Sequence, residues 1–125
     1  MKKLPLLFFY VLTCTSFISC MHNDHDINIA YTEDDHYYSV NAHFPKSETR
    51  DVDEYMDDKI GRRSKMPFVN SRIDGTITLD DHTKFYIKKS PGVLEIKLNK
   101  DENTDEAYRE IKLMCQGIKK ILAHN

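Results

Sequence analysis

The stretch "HYYSVNAHF", His36 to Phe44, alternates with a period of two. Tyr38, Val40, Ala42 and Phe44 fall on one face, and Tyr37, Ser39, Asn41 and His43 on the other. Successive strand side chains point to opposite sides of a sheet, so this is a half-buried strand with one apolar face. Pro45 ends it. A sheet made of such strands needs a covering layer on one side only, and that requirement organises the rest of the chain.

Downstream, "SETRDVDEYMDDKIGRR" (residues 47–63) changes period. Val52, Tyr55, Met56 and Ile60 form one stripe of a helix over about 48–60, with Ser47 or Thr49 as its cap and Gly61 at its end. Three strands follow. Val69, Ile73, Ile77 and Leu79 share a parity, and Asp80–Thr83 reads as a hairpin turn. Phe85 and Ile87 point inward, then Ser90-Pro91-Gly92 turns the chain again. Leu94, Ile96 and Leu98 form the inner face of the last strand. Asn103 and Glu106 have capping-box spacing, and Tyr108, Ile111, Cys115, Ile118 and Leu122 make the stripe of a final helix. The expected fold is α+β: a two-layer sandwich in the order β-α-β-β-β-α, with a mostly antiparallel four-stranded sheet and two helices on one face, spanning residues 36–125.

Upstream, the chain reads differently. Lys2 and Lys3 precede an uncharged apolar run from Leu4 to Ser19, and Phe17-Ile18-Ser19-Cys20 stands at its end. This resembles the lipobox of bacterial lipoprotein precursors. The resemblance covers about the first 20 residues. It implies a signal peptide over 1–19, a diacylglyceryl thioether on Cys20, and a lipidated terminus and flexible tether over 20–35. The alternatives are an uncleaved amino-terminal anchor and ordinary secretion. Met21 rather than Asp after the cysteine points, within that family, to the outer membrane, with the domain periplasmic or surface-exposed. Inside the tether, Ile27, Ile29 and Tyr31 alternate in the manner of a short edge strand.

Composition narrows the function. Removal of Lys2 and Lys3 with the leader leaves 16 Lys and Arg against 20 Asp and Glu, a net charge of −4, which argues against a nucleic-acid partner. With Cys20 lipidated, Cys115 is the remaining cysteine of the mature chain, and it lies on a buried stripe. His22, Asp24, His25 and Asp26 cluster, as do Asp34-Asp35-His36 and Asp80-Asp81-His82, but none has the spacing that fixes two metal ligands on one element. No Gly-x-Ser-x-Gly elbow or Gly-rich phosphate loop is present. The reading is of no catalytic residues, no metal and no cofactor.

The better candidate is the open sheet face, where Tyr37, His43, Arg72, Lys84, Tyr86 and Lys88 are the expected partner-binding residues. Tyr and Arg are enriched at interface hot spots. The expectation is therefore a membrane-anchored envelope lipoprotein with a non-catalytic interaction domain. It would serve as an accessory subunit or an inhibitor or immunity-type protein, with self-association also open. The alternative is an envelope carrier or sensor of a small ligand or metal.

Overall fold

The computed structural model describes residues 26–123. Cys20 and the lipobox lie outside them, as do His22, Asp24 and His25. The strands are β1 (Asn28–Glu33), β2 (Tyr37–His43), β3 (Ile73–Thr78), β4 (Lys84–Ser90) and β5 (Val93–Asn99). They form one sheet in the order β1-β2-β5-β4-β3, with every neighbouring pair antiparallel. Helix α1 (Thr49–Met56) continues through a π-helical turn (Asp57–Gly61) and a last turn (Arg62–Ser64), and α2 spans Asp105–Ala123.

The class is α+β, as the alternation implies, but the sheet has five strands rather than four. The additional one, β1, lies in the segment read as tether and pairs with β2 along its whole length, Asn28 opposite His43 and Glu33 opposite Tyr38. Its inner parity holds Ile29, Tyr31 and Glu33. Only Ile29 joins the core margin, while Glu33 meets the helix layer through charge. An apolar alternation this diluted is a weak strand signal.

The inner faces of β2, β4 and β5 supply Tyr38, Val40, Ala42, Phe85, Ile87, Leu94, Ile96 and Leu98. The helices cover them with Val52, Met56, Ile60, Ile111, Cys115, Ile118 and Leu122. Pro91 and Gly92 make a two-residue hairpin between Ser90 and its partner Val93, with Gly92 at φ +77° as a type II turn requires.

Two helix boundaries differ from expectation. The α1 segment runs through Gly61 and stops at Lys65, which takes the left-handed conformation (φ 59°) that a glycine often supplies. Neither Ser47 nor Thr49 caps it. The Thr49 hydroxyl instead accepts a bond from the Gly92 N–H at 2.9 Å, tying the helix start to the β4–β5 turn. For α2 the capping oxygen belongs to Thr104, which accepts the Ala107 N–H at 3.0 Å. Asn103 serves the sheet instead. Its amide receives the Lys84 N–H at 2.9 Å and donates to the carbonyls of Lys84 (3.0 Å) and Asn99 (2.8 Å), closing the ends of β4 and β5.

The two helices touch where α2 carries Gly117. A Cβ there would lie 1.9 Å from the Tyr55 hydroxyl, which donates to the Met114 carbonyl at 3.1 Å. Helix propensity alone favours alanine over glycine by about 1 kcal/mol. The contact reverses that sign, because the phenol must leave its bond and its packed position. Gly117→Ala is expected to destabilise by about 1–3 kcal/mol in urea unfolding. A gain in stability would show that α1 yields freely at this crossing.

Candidate functional site

The open face is the side of the sheet opposite the helices. Cross-strand register arranges it in rows. One runs Ser39, Lys97, Tyr86, Thr76, and the next Asn41, Glu95, Lys88, Asp74. Tyr37, His43, Lys84, Tyr86 and Lys88 all occupy this side, at least partly exposed. Tyr37 is 39 % exposed, and the Lys97 ammonium sits 4.6 Å from its ring centroid. The Tyr86 hydroxyl donates to Asp74 at 2.7 Å, and that bond, with burial second, pushes its pKa up to about 12. Lys88 stands opposite both Asp74 and Glu95. The face is thus an open, mixed-charge surface with two aromatic side chains, Tyr37 and Tyr86.

Arg72 does not join it. It precedes β3 and lines a cleft of about 400 Å³ beside the start of α1, together with Lys46, Arg50, Asp53 and Lys89. The floor of this cleft is an ion pair. Lys89 Nζ lies 3.2 Å from Asp53 Oδ2, with side chains only 3 % and 5 % exposed. Lys89 also donates to the Ser71 carbonyl, binding the loop before β3 to the pair. Burial raises the Asp53 carboxyl above its ordinary range, and Lys89 offsets part of the rise. Sequence reasoning missed this pair although a signal existed. Lys89 shares the inward parity of Phe85 and Ile87, and Asp53 adjoins the apolar stripe of its helix.

A third cluster joins β1 to α2. Glu33 pairs with Lys100 at 2.7 Å and with Lys112 at 3.0 Å, and accepts the Tyr108 hydroxyl. Bonds from Lys100 first, then Tyr108 and Lys112, lower its carboxyl from 4.5 to about 2. A carboxyl held below its ordinary value stabilises the fold fully above that value, and loses the contribution as pH falls through the folded pKa. The stability difference between wild type and Glu33→Gln is therefore expected to be constant above about pH 5. It should shrink between about pH 4.5 and 2. Urea midpoints across that range check it, and a difference independent of pH would refute the ionic role.

Two of the three motifs that suggested metal ligands, those at 34–36 and 80–82, have local structural tasks, and the other, at 22–26, lies almost wholly outside the described residues. Asp34 Oδ1 accepts the backbone N–H groups of His36 (2.8 Å) and Tyr37 (2.7 Å), shaping the β1–β2 turn. His36 itself meets Asp101 at 2.9 Å. Asp81 accepts the Thr83 N–H at 3.2 Å and pairs with Arg63 at 3.0 Å, which also reaches Glu110 at 2.9 Å. Among the described residues no three His, Cys, Asp or Glu side chains gather in an arrangement that would hold a metal ion. Cys115 is fully buried, and burial pushes its thiol up to about 12, far from the range of a reactive thiolate. Among those residues, too, no helix is long and apolar enough to cross a membrane.

Compared with protein-family models, with curated proteins and with solved structures, the chain matches none.

Proposed function

We propose that the protein is a lipid-anchored component of a bacterial outer membrane whose domain binds another envelope protein without catalysing a reaction. The observation that carries this reading is the one-sided sheet. Both helices pack on one face, and the other presents Tyr37, Tyr86 and three lysines, Lys84, Lys88 and Lys97, to the surroundings. Rigid aromatic groups among mixed charges suit a protein interface, where they add contact area at little entropic cost. Lys88 is opposed by Asp74 and Glu95, and Lys84 pairs with Glu102 at 3.9 Å, so the net positive point of the face is Lys97, beside the Tyr37 ring. The partner surface would place an acidic group against Lys97.

The anchor and the face are tested separately. Cys20→Ser is expected to leave the domain folded and to move it from the membrane fraction to the soluble fraction. Retention in the membrane would overturn the anchor. A photocrosslinking residue at position 86 in intact cells is expected to capture one dominant envelope protein. A blank, with the variant folded and anchored, would mean that the face is ordinary solvated surface.

A further inference from the structure

The cleft beside α1 carries more charge than the fold uses. Four cationic side chains, Lys46, Arg50, Arg72 and Lys89, line it. Lys89 is neutralised by Asp53 at the floor, and Arg50 by Glu54 at 3.1 Å. Lys46, before α1, and Arg72, before β3, line the same cleft. Neither side chain is held by an ion pair or a hydrogen bond from another described residue. Ser47 and Asn70 add neutral polar groups to the same walls. Two like charges held at one concavity repel each other and raise the local potential. A ligand that carries two negative charges removes that repulsion.

The floor supports the same conclusion. A buried ion pair gives little net stability compared with an apolar pair of equal volume. It does fix polar groups in place: here it holds the loop of Ser71 and Arg72 against the helix through the Ser71 carbonyl. The floor of the cleft is therefore preorganised by the buried pair.

We propose that this cleft binds a phosphoryl dianion, with Lys46 and Arg72 as the two countercharges. A phosphate monoester near neutral pH carries close to two charges and three strong acceptor oxygens, and guanidinium groups recognise it by paired N–H donors. The phosphoryl group can belong to a small soluble monoester or to a lipid headgroup. The site is distinct from the open sheet face, so either proposal can fail without the other.

The test uses the full chain purified in detergent, with thermal melting in three probes at ionic strength matched by sodium chloride. The probes are inorganic phosphate, glycerol 3-phosphate, and short-chain phosphatidic acid below its micellar concentration. A ligand that binds only the folded state raises the melting temperature in a concentration-dependent way. At least one probe is expected to do so. The double variant Lys46→Ala/Arg72→Ala is expected to weaken that binding at least tenfold, while Lys84→Ala/Lys88→Ala on the open face leaves it unchanged. Binding of glycerol 3-phosphate identifies a soluble monoester, and a response to phosphatidic acid alone identifies a headgroup. No rise with any probe, or a rise that survives in the Lys46/Arg72 variant, overturns the proposal.

Discussion

Lys89→Met is expected to destabilise the domain by about 3–5 kcal/mol at neutral pH, although lysine and methionine have similar length. The loss is not that of a favourable bond. It arises because Asp53, 5 % exposed along its side chain, keeps its charge in a place that water barely reaches. Total stability for a domain of this size is about 5–15 kcal/mol, so the variant would stand near its unfolding threshold. The cost depends on pH with a definite sign. Asp53 already has a raised carboxyl pKa through burial, and removing Lys89 raises it further. The penalty is complete above that raised value and disappears below the ordinary carboxylate range, so the variant recovers relative stability as pH falls.

The companion variant separates charge from shape. Asp53→Leu combined with Lys89→Met removes both ions and is expected to match the wild type or to exceed it by up to about 4 kcal/mol. Urea unfolding of the two single variants and the double variant measures the coupling directly. A loss below about 1 kcal/mol in Lys89→Met would mean that solvent reaches Asp53 freely and that the pair is not a buried one.

Phe68→Ala is expected to cost about 3–5 kcal/mol, as much as a deletion from a central strand. Phe68 belongs to the connection between α1 and β3, where substitutions are usually tolerated, yet it is fully buried in the core. Its backbone N–H donates to Asp57 Oδ1 at 2.8 Å, and the Ser71 hydroxyl lies 2.9 Å from its carbonyl. Two left-handed residues, Lys65 (φ 59°) and Asn70 (φ 62°), bracket the segment and turn it inward. The ring fills a space that the loop has little means to close. Met66 of the same loop is 37 % exposed and is the control, with Met66→Ala expected within about 0.5 kcal/mol of wild type. Equal effects at the two positions would show that the loop collapses into the vacated volume.

These residues also show where sequence reading succeeds and where it stops. Strands β2 and β5 are legible because each has a clean apolar face, β4 because Phe85 and Ile87 set its parity, and α2 because its stripe runs along a nineteen-residue helix. Single polar residues on apolar faces are where reading fails. Lys89 and Asp53 look like surface residues until the fold brings them together. Glu33 hides the inward parity of β1 because it meets Lys100 and Lys112 rather than the core. Arg72 has the parity of the open face, but β3 begins one residue later, so no register fixes it there. Asn103 is the expected cap of α2, from its spacing to Glu106. The choice falls to Thr104 because the ends of β4 and β5 need the Asn103 amide. That need is tertiary, and no local pattern contains it.

Strand β1 has a consequence for reach. A chain extends at most about 3.3–3.6 Å per residue. If residues 20–35 were all leash, the sixteen steps from Cys20 to His36 would let the domain wander about 55 Å from the point of attachment. Pairing begins instead at Asn28, which leaves eight steps, or about 28 Å at full stretch. On the proposed anchor at Cys20, the β1 edge of the sheet stays within roughly one bilayer thickness of the membrane surface. On the same proposal, a partner that engages the sheet would meet it close to the membrane.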